Sequence, residues 1–247
     1  MSTSSDRHNF TFGDRTLRLQ GVECSTRSDS WPTSERRDSY PYPTQWRPPS
    51  PHGLARPTLT IASGNPVKVA EIEAMLGPLP LEVRRQPSDL EVEETGASYL
   101  ENARLKARAA AQRTGHWTLA DDSGLEVDAL DGAPGLYSAR FASSDADKVC
   151  RLLDALRGHP YRSARFRSAM VLCSPQGECL EEAEGLCWGE MLQAPAYPGG
   201  GLESLFWVRE AQCSYGELNP AQLARLGSRG KAARTLAPRL RNRLGLD

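Results

Sequence analysis

The chain has 247 residues, of which a quarter are charged, and its formal net charge is −1. This length fits one large domain or two small ones, and the near-zero charge excludes a globally polybasic or polyacidic protein. No apolar run approaches the roughly 18–20 residues that a membrane span needs, and the N-terminus has no apolar signal-peptide core. We therefore expect a cytoplasmic protein with no membrane partner.

The cysteines form no Cys-x-x-Cys pair and lie mostly in apolar patterns. They are Cys24, Cys150, Cys173, Cys179, Cys187 and Cys213. We interpret them as buried, reduced thiols rather than as a disulfide framework or a zinc site.

Residues 1–57 differ in composition from the rest of the chain. They are rich in Ser, Arg and Pro and contain few aliphatic side chains. Such a segment cannot bury enough apolar surface to offset its ordering entropy, so the sequence predicts a disordered extension. Interleaved arginines and aromatics leave a nucleic-acid-binding arm open, although acids are interspersed, and the segment could instead lie upstream of the true translation start. We expect no nucleic-acid partner and place the folded domain at residues 58–247.

The folded domain begins with a strand, a helix and a second strand. Leu59–Ala62 reads as a buried strand. The helix that follows has Asn65 as its N-cap and Pro66 at its first position, and Gly77-Pro78 ends it. Leu81–Arg85 predicts the second strand.

A stronger helix is predicted over "SYLENARLKARAAAQRTG", where Ser98 and Glu101 form a Ser-x-x-Glu capping box and Gly115 is the end signal. The strands "WTLA" and "LEVDAL" are predicted on either side of a turn formed by "DDSG".

Further elements complete an α/β pattern with a mixed sheet. A helix from about Asp145 to Leu156 is followed by three strands, "ARFRSAMVLC", "CLEEAEGLCWGEM" and "SLFWV". Two helices are predicted near Ala221–Leu226 and Gly230–Leu244, the second interrupted at Pro238.

Lys68 is unusual for its position, because the first turn of a helix disfavours a cation. A helix N-terminus after a Ser-Gly turn is a natural anion site, and a lysine there would join the anion. The chain contains 26 arginines and only four lysines. This bias indicates that Lys68 and Lys106 serve as compact point charges, a role that arginine does not fill equally well. A solvated surface lysine remains the alternative.

Lys106 shares one face of its helix with Asn102, four residues earlier. That face points either into a cleft or into water. The capping box already accounts for Glu101, so we assign this residue a structural role.

Two acidic segments flank this helix: Glu93-Glu94 precedes it, and Asp121-Asp122-Ser123-Gly124 follows the next strand. A magnesium site needs only one or two carboxylates when substrate phosphates and water supply the other ligands. Asp-Ser-Gly alone is ordinary turn chemistry, so the acids are either turn residues or ligands of a cation.

Three stretches, "ASGNPVKVAEI", "EETGASYLENARLKA" and "ADDSGLEVDALDGAPGLYSARFA", closely resemble the inosine triphosphatase, or non-canonical purine NTP pyrophosphatase, family. The strong match covers Thr58 to about Ala142, and a weaker match continues to near Arg234.

This resemblance implies an elongated mixed sheet with flanking helices, two lobes around a nucleotide cleft and a homodimer. It also implies Mg²⁺-dependent hydrolysis of ITP, dITP and XTP to the monophosphate and pyrophosphate. By position, the substrate-binding residues would be Ser63, Gly64, Asn65, Lys68, Lys106, Ser123 and Arg229. Glu94 and Asp122 would hold Mg²⁺, Asp122 would also activate water, and Lys68 would act with it in catalysis.

The match fails where the family recognises the base. Where the family usually has Gly-Phe-Gly-Tyr-Asp-Pro, this chain has Gly199 to Ser204 with the sequence "GGGLES". Where the family has a lysine and then Ser-His-Arg, this chain has Leu223 and then Gly227-Ser228-Arg229. Trp188, Trp207 and Tyr197 are candidate replacements for the missing ring, or else packing residues.

Three functions therefore stay open: a pyrophosphatase for ITP, dITP and XTP, one with altered or relaxed base choice, and a nucleotide-binding relative that has lost turnover. The retained lysines and acids favour the first two.

Overall fold

A computed structural model describes residues 56–77 and 79–246 of the chain. The predicted extension therefore lies outside the described residues except for Arg56 and Pro57, and the domain boundary stays a prediction. None of the helices in the described ranges combines the length and the apolar character that crossing a bilayer would need.

Within these ranges, seven strands form one mixed sheet in the order β2-β1-β3-β4-β5-β6-β7, flanked by five helices. The strands are β1 (Thr58–Ala62), β2 (Glu82–Arg85), β3 (Trp117–Val127), β4 (Ser163–Cys173), β5 (Cys179–Met191), β6 (Phe206–Val208) and β7 (Cys213–Ser214). The helices are α1 (Pro66–Leu76), α2 (Tyr99–Thr114), α3 (Asp145–Ala155), α4 (Pro220–Leu226) and α5 (Ser228–Leu244). β1 pairs in parallel with β2 and β3, and the other pairs are antiparallel. The predicted α/β class with a mixed sheet is confirmed.

The sheet is packed differently along its length. Near β1, α2 covers one face with small side chains such as Ala103 and Ala107. On the other face, the core includes Ile72 of α1 and Leu236 of α5. A separate core, with Leu152 and Phe206 at its centre, packs the β6 end.

The predicted helix starts are confirmed, with one detail changed. The Asn65 side chain accepts bonds from the backbone of Val67 and Lys68, and Ser98 accepts from the Glu101 amide. The Glu101 carboxylate, however, accepts from the Ala97 amide at 2.7 Å rather than from Ser98.

The prediction of a turn at "DDSG" is wrong, because β3 runs straight through it. Ten consecutive β3 residues pair with β4, including Asp122 with Ala169. Gly124 serves close packing instead: a Cβ there would lie 2.4 Å from the Gly135 carbonyl oxygen. "DAL" is also not strand, since Asp128–Leu130 forms a short 3₁₀ turn.

The predicted interruption at Pro238 is likewise wrong, since α5 continues through it to Leu244. Pro238 is on the exposed side of the helix, where the carbonyl that it leaves unpaired can reach water. The buried side chains of Leu236 and Leu240 hold the helix against the sheet core.

The cysteines are only partly as expected. The five in the described residues are free thiols, and Cys173 and Cys187 are buried. Cys150 is exposed on α3, and Cys179 and Cys213 are intermediate, so the prediction of general burial is wrong. Cys24 lies outside the described residues.

Candidate active site

The candidate site lies at the ends of the parallel strands β1 and β3. Ala62 pairs with Ala120, so the loop that leaves β1 runs beside Asp121. A cleft of about 780 Å³ opens at this edge. Its lining includes Ser63, Gly64, Asn65, Lys68, Glu94, Lys106 and Asp121. The structure thus brings together most of the residues that the sequence singled out.

The loop between β1 and α1 is shaped by its own hydrogen bonds. Asn65 Oδ1 accepts from the Val67 amide at 2.9 Å, and Ser63 Oγ accepts from the Asn65 amide at 3.2 Å. Gly64 is exposed, and no atom lies within 4 Å of where its Cβ would be. The N-terminus of α1 is therefore capped and open to the cleft.

Asp121 and Asp122 point to opposite faces of the sheet, because neighbouring residues of a strand alternate. Asp122 contacts Lys106 of α2. Asp121 contacts Lys68 of α1 and Arg229 of α5. One strand thus supplies a carboxylate to each of two separate charge clusters.

On the α2 face, the Lys106 ammonium bridges two carboxylates. It donates to Asp122 Oδ1 at 2.8 Å and to Glu94 Oε1 at 3.0 Å. Burial disfavours the charge on Lys106, but these two carboxylates outweigh it and hold the pKa of Lys106 above its ordinary value.

Asn102 fixes the other side of Asp122. Its Nδ2 donates to Asp122 Oδ2 at 3.2 Å, and its Oδ1 accepts from the Gly96 amide at 2.8 Å. The sequence placed Asn102 and Lys106 on one helix face, and that face points to Asp122. Arg140 was not predicted, although its Nη2 donates to Glu94 Oε2 at 3.1 Å.

On the α1 face, the fully buried carboxylate of Asp121 lies between two cations. Lys68 forms an ion pair with it and donates to its backbone carbonyl at 3.1 Å. The Arg229 Nε donates to Asp121 Oδ2 at 3.3 Å. Burial acts to raise the pKa of Asp121, but Lys68 and Arg229 prevail and lower it to about 2. Burial also lowers the pKa of Lys68, against the attraction of Asp121.

The Arg229 guanidinium is already committed to protein partners. Besides Asp121, its Nη1 donates to Glu71 Oε2 at 2.5 Å and its Nη2 donates to Ser123 Oγ at 3.2 Å. In this arrangement Arg229 ties α5 to α1 and β3. Its predicted contact with substrate stays a prediction, and Glu71 is a site neighbour that sequence reasoning missed.

The residues fit a magnesium ion with few protein ligands. No group of three or more His, Cys, Asp or Glu side chains in the described ranges forms a complete metal site. Glu94 and Asp122 nonetheless converge on one ammonium group, so an oxygen of each lies within reach of a single cation. Oxygen donors from one or two carboxylates are what Mg²⁺ uses when phosphates complete its coordination.

The three candidate aromatic residues lie in different places. Trp188 is 55% exposed and lies beneath the Arg165 guanidinium on the sheet. Trp207 pairs with Glu190 and Ser214 within the sheet. Tyr197 is in the loop next to Gly200.

Tyr197 occupies the space that a side chain at Gly200 would need. A Cβ at Gly200 would lie 2.5 Å from Tyr197 Cε2, and one at Gly216 would lie 1.9 Å from the Tyr197 hydroxyl. Glu203 Oε1 accepts from the Gly201 amide at 2.8 Å. The Tyr197 ring therefore fills the space beside this loop that a side chain at position 200 would need.

Comparisons with known proteins agree with this geometry. The sequence model of the Ham1 family matches residues 59–239, and the chain belongs to that family. A dITP/XTP pyrophosphatase of Synechococcus sp. is 45% identical over 190 residues, which is 76% of this chain and 92% of the relative. One from Gloeobacter violaceus is 46% identical over 179 residues, covering 72% and 91%.

Solved structures give the same result for the fold. A HAM1 protein from Coxiella burnetii has a TM-score of 0.68 at 34% identity, with 75% of this chain and 99% of that chain covered. A nucleoside-triphosphatase, also described as a dITP/XTP pyrophosphatase, from Mycobacterium abscessus has a TM-score of 0.59 at 37% identity, covering 73% and 99%.

Proposed function

We propose that this protein hydrolyses ITP, dITP and XTP to the nucleoside monophosphate and pyrophosphate in a Mg²⁺-dependent reaction. Its family makes it a nucleoside-triphosphate pyrophosphatase, and the relatives described above carry the dITP/XTP name. One observation supports the reaction most directly: the Lys106 ammonium, Glu94 and Asp122 meet at a cleft that also holds Lys68 and the N-terminus of α1.

The triphosphate is proposed to bind at the loop from Ser63 to Asn65 and the first turn of α1. The positive end of the α1 dipole attracts anions, although Asn65 already caps the amides of Val67 and Lys68. Burial lowers the pKa of Lys68 in this first turn although Asp121 already pairs with it, so a further anion would stabilise its charge. A phosphate group would supply that anion.

Asp122 is proposed as the proton acceptor for the attacking water, at the Oδ1 that now accepts from Lys106. Asn102 holds the other oxygen, so the carboxylate keeps a fixed orientation. Glu94 and Asp122 would hold Mg²⁺, which when bound neutralises charge that develops on the phosphates. Lys106 would then turn toward the triphosphate.

A second candidate function, a pyrophosphatase with relaxed base choice, is favoured by the loop at residues 199–204. Gly200 and Leu223 stand where the resemblance predicts an aromatic ring and a lysine, and Gly227-Ser228 replaces Ser-His. Ser228 is buried and its Oγ lies 2.8 Å from Ser168 Oγ, so it is bonded within the protein. In this alternative, discrimination between bases is weaker than the selection for a triphosphate.

We also propose a cytoplasmic homodimer that binds no nucleic acid. The support is the resemblance to the family together with the balanced net charge of −1.

The test is pyrophosphate release from ITP, XTP, dITP, GTP, ATP and pyrimidine triphosphates, with Mg²⁺ and with a chelator. We expect release from the first three with Mg²⁺ only. Similar rates for all bases would select the relaxed-base alternative. Absence of release from every triphosphate would overturn both and leave nucleotide binding without turnover.

A further inference from the structure

Cys173 and Cys179 lie next to each other although six positions separate them in the sequence. They end β4 and begin β5, and they are paired across the strands at a register shift. A tight loop joins them: the Ser174 amide donates to the Glu178 carbonyl at 2.8 Å, and the Gly177 amide donates to the Ser174 carbonyl at 2.9 Å. The hairpin therefore holds the two thiols at a fixed distance.

The Sγ atoms of the two cysteines are 2.7 Å apart, and both thiols are free. Directly opposed residues of antiparallel strands have Cα atoms about 4.5–5.5 Å apart, which is within the usual range for a disulfide. Forming a bond between them needs little movement of the backbone.

The two thiols differ in access. Cys173 is buried against small residues of α2 such as Ala107 and Ala111, and burial raises the pKa of its thiol. Cys179 is partly exposed, and the Arg108 Nη2 lies 3.9 Å from its Sγ. Because Cys173 is buried, Cys179 is the thiol that a reagent from solution meets first.

We propose that Cys173 and Cys179 are a reversible dithiol/disulfide site, oxidised by a low-molecular-weight disulfide such as oxidised glutathione. The Cys179 thiolate attacks the glutathione disulfide, breaks its S–S bond and releases one glutathione thiolate. The Cys173 thiolate then attacks Cys179 Sγ and releases the second. The two protons of the cysteines pass to the two glutathione thiolates, and two electrons reduce the glutathione disulfide.

The other described cysteines offer no such pair. Cys187 is buried in the core that surrounds Phe206, and Cys150 is exposed on α3. Cys150 is thus a matched control: it can take up glutathione from solution but has no thiol within bonding distance among the described residues.

The site touches the helix that carries Lys106 and Asn102. Arg108 of α2 donates to the Gly177 carbonyl at 3.3 Å, and Arg104 donates to Glu182 Oε1 at 2.5 Å. The disulfide would close the hairpin to which α2 is bonded. We therefore expect the oxidised chain to unfold at a higher urea concentration than the reduced chain.

The test uses the full chain equilibrated in glutathione buffers of increasing oxidised fraction and then alkylated. Digestion with trypsin and a glutamyl endopeptidase cuts after Arg167 and Glu178, which separates the two cysteines. We expect the peptides Ser168–Glu178 and Cys179–Glu181 to stay joined after oxidation and to separate after treatment with dithiothreitol.

Variants distinguish an internal disulfide from general thiol oxidation. Cys150→Ser should keep the joined peptides and the rise in the urea midpoint. Cys179→Ser should lose both, and Cys173→Ala should instead retain one glutathione on Cys179. Separate peptides throughout the wild-type titration, or an equal shift of the urea midpoint in Cys179→Ser, would overturn the proposal.

Discussion

The edge of the sheet at β1 and β3 and the loop at residues 199–204 are built in opposite ways. At the first, charged side chains from three helices and one strand converge, and the Asp121 carboxylate is fully buried between Lys68 and Arg229. At the second, Gly200 and Gly216 pack closely against Tyr197, and Glu203 accepts from the Gly201 amide. We call these the phosphate end and the base end. Buried charge holds the side chains at the phosphate end, whereas close backbone packing against Tyr197 holds the base end.

The strongest test of the phosphate end is Asp122→Asn. We expect kcat to fall about 10³-fold, because the amide cannot accept the proton from water. The Asn102 contact can persist, so urea unfolding should change little. Asp131→Asn, at an exposed turn residue, is the control and should retain activity. Turnover near the wild-type rate in Asp122→Asn would show that another group is the base.

The second test removes one cation from the cluster formed by Lys68, Asp121 and Arg229. Lys68→Met leaves Asp121 paired with Arg229 alone and should cost about 2–3 kcal/mol of unfolding free energy in urea, besides raising KM. Lys148→Met removes a lysine that pairs with exposed Asp145 and should cost under about 1 kcal/mol. Equal costs for the two would contradict the structural role of Lys68.

The third test is pH dependence. The folded state lowers the pKa of Asp121 to about 2, below its unfolded value. Its contribution to stability is therefore complete above the unfolded pKa of about 3.9 and is lost as pH falls toward 2. That contribution is on the order of 2 kcal/mol. In Asp121→Asn, the unfolding free energy should fall less steeply between about pH 4 and pH 2, and parallel curves would refute this.

The smallest effect is expected at the base end. If Tyr197 supplies the stacking ring, Tyr197→Ala should raise KM for ITP about tenfold, since stacking is worth about 1–3 kcal/mol per base. Trp188→Ala, on the sheet under Arg165, should change KM less than about twofold. An unchanged KM in Tyr197→Ala would mean that this chain holds the base without a ring from that loop.

Local chemistry was sufficient to predict where the first two helices begin. Asn65 and Ser98 cap helices because their side chains bond to amides a few residues away, and that signal is complete within one turn. The lysines and acids of the cleft were also found, partly from their positions and partly from the family resemblance.

The prediction errors arose where contacts between distant parts of the chain determine the local structure. The Asp-Asp-Ser-Gly stretch has turn chemistry, but pairing with β4 makes it strand. Arg229 bonds to Glu71, which is 158 positions away in the chain, and to Asp121, which is 108 positions away. No local sequence pattern could reveal this cluster. The opposed cysteines were also missed, because only the hairpin brings them together.

The alternation of Asp121 and Asp122 has a consequence for how β3 can change. One residue inserted or deleted before this pair would turn each side chain to the other face of the sheet. Asp122 would then face α1 and α5, and Asp121 would face α2. The long pairing of β3 with β4 resists such a slip. At this pair β3 can therefore accept a substitution more readily than a change of length.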